Sequence, residues 1–165
     1  THTSFIIVHN GTVRFNSTIL VAGDTLNEAL RKRFAVDYAG AESIKEEKGM
    51  LRTKSNEEVF NALLPVASAI AEEIQRHIIY WNTHAEHAGV SGRKEIDSVK
   101  FAGGGANLSG LVEYLAYELK LPTAPANPWI NVTSFDDYVP EIKKNDSLVY
   151  ANVIGLALGA LKELV

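Results

Sequence analysis

Residues 99–111 read Val-Lys-Phe-Ala-Gly-Gly-Gly-Ala-Asn-Leu-Ser-Gly-Leu. A short apolar strand runs into three consecutive glycines, Gly103, Gly104 and Gly105, and a helix is predicted just beyond them, from about Leu108 to Lys120. Glycine loses more backbone entropy on folding than any other residue, so a triplet marks a place where side chains would obstruct something. At strand–glycine–helix junctions a nucleotide or phosphate can meet backbone N–H groups and the positive end of the helix dipole. A tight turn under a well-packed helix accounts for the same spacing equally well. Neither G-x-G-x-x-G nor G-x-x-x-x-G-K-[ST] is present, so a Rossmann dinucleotide site and a P-loop find no support.

Upstream, Thr3 to His9 is β-branched and aromatic and reads as a buried strand. Asn10-Gly11 is a two-residue hairpin signal, with Thr12 to Ile19 as the partner strand. Asp24 or Thr25 is placed to cap a helix beginning near Leu26, whose apolar face is Leu26, Ala29, Leu30 and Phe34. A second helix covers Tyr38 to Lys48 and stops at Gly49. Asn56 or Ser55 then caps a long helix reaching about His87, with Val59, Leu63, Val66, Ile70, Ile74, His77 and Trp81 on one stripe. Pro65 should bend that helix or mark a boundary within it. Ala88 to Asp97 is a polar link to the strand Ser98 to Ala102.

Downstream of the glycines, Leu121 to Ala126 contains two prolines, which restricts it to a short or edge strand. Thr133 to Asn145 reads as irregular surface chain. A last helix runs from Ser147, its expected cap, to Leu164, with Gly155 and Gly159 making a flat face. The order of elements predicts an α/β domain: a mixed sheet flanked by helices, built from residues 1–22 and 56–165, with 23–55 as a small inserted subdomain.

The 165 residues are enough for one domain with a real core. The chain has no cysteine, which excludes disulfides, thiol catalysis and cysteine metal sites. A net charge of −4 argues against generic nucleic-acid binding. No apolar run is long enough to cross a bilayer, and the cytoplasm is the expected location. The N-x-[ST] triplets at Asn10, Asn16, Asn107, Asn131 and Asn145 need no secretion to explain them.

Six segments, in order, carry a resemblance. They are Thr3-Ser4-Phe5-Ile6-Ile7-Val8-His9, Gly23-Asp24-Thr25-Leu26, Ala41-Glu42-Ser43-Ile44-Lys45, Gly103 to Leu111, Asn127-Pro128-Trp129 and Ile154-Gly155-Leu156-Ala157-Leu158. Together they resemble the C-terminal half of the PilM family, cytoplasmic actin-like proteins of type IV pilus assembly, and more distantly FtsA and MreB. The resemblance implies a ribonuclease H-like half of an actin-like ATPase. It makes Gly103, Gly104, Gly105, Ala106 and Leu108 an adenosine-binding segment. It sets Glu42 and Lys45, one helical turn apart, at the ribose hydroxyls or base, and places Thr3 and Gly23 beside the nucleotide. The family's second phosphate loop reads Asp-x-Gly-x-x-x-Thr and this chain starts just before its Thr. The first central strand, between the hairpin and Ser98 to Ala102, is therefore expected to be missing, leaving a gap along two strands for another segment to fill. The implied ligand is ATP with Mg²⁺ in a longer protein, bound weakly or not at all by this chain alone, which is not expected to hydrolyse it. The implied partner is the cytoplasmic tail of a PilN-like inner-membrane protein, held mostly by the other half, with a homo-oligomer as a further option. That would place the protein in the cytoplasm, at the inner membrane through its partners.

Other constellations carry less. Glu42 and Lys45 on their own also read as a solvated ion pair. His84-x-x-His87 lacks a third ligand, since Glu86 lies on another helical face. Asp136-Asp137, Glu46-Glu47 and Glu72-Glu73 are adjacent acids whose side chains point apart. No G-x-S-x-G elbow or Ser-His-Asp order is present. Two function classes remain: a nucleotide-binding scaffold, or an interaction module of the same fold that works without nucleotide through Gly155/Gly159, Trp129 and exposed strand edges. A sugar- or acetate-kinase-like half ranks behind both.

Overall fold

The computed structural model describes residues 2–21, 23–88, 95–132, 136 and 138–163. It opens on an antiparallel hairpin, β1 (Thr3–His9) and β2 (Thr12–Ile19), in register from Thr3 opposite Ile19 to His9 opposite Thr12. Asn10 and Gly11 both take positive φ, 50° and 71°, the backbone of a two-residue turn whose twist matches the strands it joins. Ile7 pairs with Phe15 and Val8 with Val13, so Arg14 is the extra residue of a bulge.

Helices α1 (Gly23–Phe34) and α2 (Tyr38–Lys48) follow. The side chain of Asp37 caps α2 by accepting from the N–H of Gly40 at 2.8 Å. Helix α3 (Glu57–His84) runs unbroken through Pro65 and forms the spine of the molecule. Its residues Val59, Leu63, Ala67, Ile70, Ala71 and Ile74 share one core with Leu26 and Leu30 of α1, Ala41 of α2 and Met50. Farther along, Trp81 and Ala85 form a second cluster under Ile7, Phe15 and Ile96. Segment 23–55 thus packs into the main core through α1, α2 and Met50.

Strand β3 (Val99–Phe101) leads to helix α4 (Leu111–Leu119), which adds Leu111, Leu115 and Leu119 to the same core. Strand β4 (Thr123–Pro125) pairs parallel to β3 as an edge strand, the role its prolines permit. A short helix α5 (Lys144–Ser147), a 3₁₀ turn over Leu148–Tyr150 and helix α6 (Ala151–Glu163) complete the described chain.

The expected single mixed sheet is split in two. Among the described residues β1 pairs only with β2, and β3 only with β4. Their facing edges line a groove of about 340 Å³, floored by Ile74, His77, Ile78 and Trp81 of α3. This is the gap that the family resemblance implied, and no described segment rearranges to fill it.

Several local expectations need correcting. Asp24 and Thr25, expected to cap α1, lie inside it, since the helix already opens at Gly23. The helix after the glycines does not begin at Leu108: residues Gly104–Asn107 form a 3₁₀ turn, and α4 starts only at Leu111, beyond Gly110 at φ 84°. The dipole of α4 is therefore not aimed from the glycines themselves. Asn56 makes no capping bond to α3. Buried at the end of α2, its Nδ2 donates to the carbonyls of Lys48 at 3.1 Å and Leu51 at 2.9 Å, and makes a longer contact with Gly49. Ser147 is no cap either; it is helical and its hydroxyl donates back to the Lys144 carbonyl at 2.6 Å. Residues 133–135 and 137 and most of the 88–97 link lie outside the described residues.

Candidate functional site

Of the three glycines of the 103–105 bend, only the first is required by its backbone. Gly103 has φ 92° and ψ 170°, a conformation that only glycine enters readily, and its N–H donates to the Leu148 carbonyl at 2.9 Å. Gly104 and Gly105 have no such backbone. A Cβ on Gly104 would meet only Val149, at 4.0 Å, and one on Gly105 would meet nothing within 4 Å. The fold itself places no demand for glycine at 105. Ala106 and Leu108 are buried and anchor the turn, their N–H groups returning to the carbonyls of Gly103 and Gly105. Any contact they make with a ligand would run through backbone. Asn107 Nδ2 ties the turn to the Asn145 carbonyl at 2.9 Å.

The bend is fastened to the α1–α2 unit. The N–H of Met50 donates to the Ser109 carbonyl at 2.6 Å, and Gly49 and Gly110 make close backbone approach possible on either side of that bond. On α2, Glu42 and Lys45 form an i, i+3 ion pair with Nζ 2.7 Å from Oε2. Lys45 is mostly covered (16% of its side chain exposed), while Glu42 keeps 38%. From α1, Asn27 Nδ2 donates to the same Oε2 at 2.5 Å. Lys45, then Asn27, hold the Glu42 carboxyl below the usual glutamate range, against the opposing effect of its partial burial. Beside them Tyr38 donates to Asp24 Oδ1 at 3.0 Å, and that bond pushes the phenol pKa up.

An ionised carboxylate with one oxygen accepting two hydrogen bonds and the other left over is an acceptor for ligand hydroxyls, with an ammonium alongside for a polar or negative group. Thr3, at the start of β1, donates its hydroxyl to the Val21 carbonyl at 2.6 Å, which ties β1 to the approach of α1. Its only O–H proton is thereby committed, leaving an oxygen lone pair and the backbone for any other contact. Gly23 opens α1, and a Cβ there would meet nothing within 4 Å. The structure thus groups Thr3 with the segment leading to Gly23, and Glu42 with Lys45, and links α2 to the glycine bend through Met50–Ser109.

The sequence reading missed Asn27, which is 1% exposed. The signal was present: Asn27 stands three residues before Leu30 and seven before Phe34, so it falls on the apolar stripe of α1. A polar residue inside such a stripe needs a buried partner.

The family described as type IV pilus assembly protein PilM matches residues 1–161. Among solved structures, the PilM–PilN type IV pilus biogenesis complex is similar at 22% identity and TM-score 0.76, over 95% of this chain and 42% of that one. MreB 5 of Spiroplasma citri bound to AMPPNP aligns at 21% identity and TM-score 0.66, over 99% of this chain and 51% of that one. The ethanolamine utilization protein EutJ from Carboxydothermus hydrogenoformans aligns at 18% identity and TM-score 0.56, over 75% and 40%. The fold is therefore the actin-like one, and this chain spans about half or less of each of these structures.

Proposed function

The chain belongs to the PilM family of type IV pilus assembly proteins, and from that premise we propose that it is the nucleotide-binding half of an actin-like scaffold acting at the cytoplasmic face of the pilus machinery. The observation that carries this is the open glycine bend: a Cβ at Gly105 would meet nothing, yet the bend is tied to the unit that presents Glu42 and Lys45. Adenosine would lie against the backbone of Gly103–Ala106, with its ribose hydroxyls donating to Glu42. The residues present fit the nucleoside half of ATP. Among the described residues no group of three His, Cys, Asp or Glu gathers, so no dedicated metal cage is built here, and Mg²⁺ bound with ATP takes most of its ligands from phosphate and water. The metal would ride on the triphosphate and be held from the remainder of the protein. This chain would accordingly bind and position, and hydrolysis would need groups around the γ-phosphate beyond the residues assigned here.

The similarity to a PilM–PilN complex supports a PilN-like membrane protein as the partner. Binding of nucleotide between two lobes would set their closure and so the shape offered to that partner. A second reading, an interaction module independent of nucleotide, draws on α6, where Val153, Leu156 and Leu161 are exposed and nothing lies near Gly155 or Gly159.

The test is equilibrium titration of the full-length protein with ATP and Mg²⁺, comparing wild type with Gly105→Val. With open space around a Cβ at 105, the valine should raise the Kd for ATP at least tenfold while leaving partner binding and the melting temperature unchanged. Equal affinity in both proteins, or no affinity in wild type, would reject the nucleotide reading in favour of the interaction module.

A further inference from the structure

Two asparagines are buried among the described residues, each with an Oδ1 that has no partner, and one of them, Asn56, is accounted for by the backbone carbonyls its amide holds. Asn27 is not explained in that way. Its amide donates to Glu42 Oε2 at 2.5 Å and also faces the Tyr38 hydroxyl, while its own Oδ1 is buried without a partner. An unsatisfied buried acceptor is destabilising, so a fold with no use for this side chain would do better with leucine there. Glu42 does not need Asn27 for charge, since Lys45 already bonds the same oxygen at 2.7 Å. What the amide adds is direction. Lys45 reaches Oε2 from α2, the helix that also carries Glu42, so the pair could swing together; Asn27 reaches it from α1 and fixes the carboxylate against a second element.

We propose that Asn27 is the positioning residue of this site: by holding Oε2 it presents Oε1 of Glu42 to a pair of ligand hydroxyls, and so selects ribonucleotides over deoxyribonucleotides. This rests on the nucleotide reading above. A carboxylate that turns freely accepts a hydroxyl with little discrimination, because it can be satisfied by water at the same cost; one locked in place rewards only the hydroxyl that meets it. The neutral amide suits the task better than a cation would, since it leaves the site's charge balance to Glu42 and Lys45.

The experiment compares ATP with 2′-deoxy-ATP on the full-length protein, wild type against Asn27→Leu, which keeps the volume and removes the donor. The preference for ATP should fall by about tenfold, the factor carried by one hydrogen bond to a charged group, with the affinity for 2′-deoxy-ATP unchanged. A preference that survives intact overturns the proposal. A second arm needs no nucleotide: the carboxyl carbon of Glu42 is titrated by NMR in wild type and Asn27→Ala. The charged groups facing Glu42 are Lys45 of α2 and Asp24 of α1, with the Tyr38 hydroxyl alongside, and all are retained. Loss of the amide should shift the Glu42 midpoint upward; an unmoved midpoint overturns the claim that Asn27 holds the carboxylate. A wild type that binds neither nucleotide removes the function reading, and the selectivity with it, while this titration still decides the hold.

Discussion

Gly110 lies so close to Met50 that a Cβ on the glycine would stand 2.5 Å from the Met50 carbonyl oxygen. Backbone cannot yield at that distance, and Gly110 also sits at φ 84°. Gly110→Ala should therefore destabilise the protein by about 2 kcal/mol or more, combining left-handed strain with the clash. Gly105→Ala is the control in the same segment: with no positive φ and open space, it should be neutral or stabilising by about 0.5 kcal/mol. Urea unfolding of the two variants separates a glycine the fold requires from one it does not. Comparable losses would mean that position 105 is also structural.

Asn56 discriminates between a helix cap and a latch. Asparagine, aspartate and serine are near-equivalent caps, so a capping residue tolerates exchange among them at a few tenths of a kcal/mol. Here the side chain donates to the Lys48 and Leu51 carbonyls, which aspartate and a short hydroxyl cannot reproduce. Asn56→Asp should cost at least about 2 kcal/mol, because buried acceptors lose their donor and gain a charge to face. A urea midpoint within error of wild type would restore the cap.

The parts legible in the sequence are those decided by neighbours along the chain. Asn10-Gly11 sets the hairpin because both residues accept positive φ, and Gly49 stops α2 for the same reason. The stripe from Val59 to Trp81 announces α3 because its burial repeats with the helical period. What was illegible depends on contacts between distant segments. The late start of α4 goes with the close approach of Gly110 to Met50, sixty positions earlier. Asn56 looks like a cap because the residues that cap helices also bond any carbonyl within reach. At the site, the glycine bend was visible from composition and Glu42–Lys45 from the family resemblance. Asn27 was marked as unusual by its place on the apolar stripe of α1, but its partner on α2 was not.

The open edges of β1 and β3 carry a prediction about association. An edge strand with apolar residues invites pairing with another chain, and Ile6 and Val8 of β1 are exposed beside the groove. The 165-residue polypeptide prepared alone should self-associate with rising concentration, and Ile6→Lys should suppress this by placing charge on the edge. Light scattering after size exclusion measures both. A wild type that stays monomeric at high concentration would show that the groove edges are already protected.

Glu42 gives the protein a pH dependence of defined sign. Its pKa is depressed in the folded state by Lys45 and Asn27, so the stabilisation it contributes is fully present above the ordinary glutamate value and is lost as pH falls through the depressed one. With over a third of the side chain exposed, solvent screening limits the ion pair to a few tenths of a kcal/mol. Glu42→Gln should therefore be slightly less stable than wild type at neutral pH, with the difference shrinking in acid as the native carboxylate protonates. Added salt should shrink it at neutral pH as well, by screening Lys45. Unfolding midpoints measured for both proteins across the acid range test the sign directly. A gap that widened on acidification would mean that burial, and not Lys45, dominates the carboxyl.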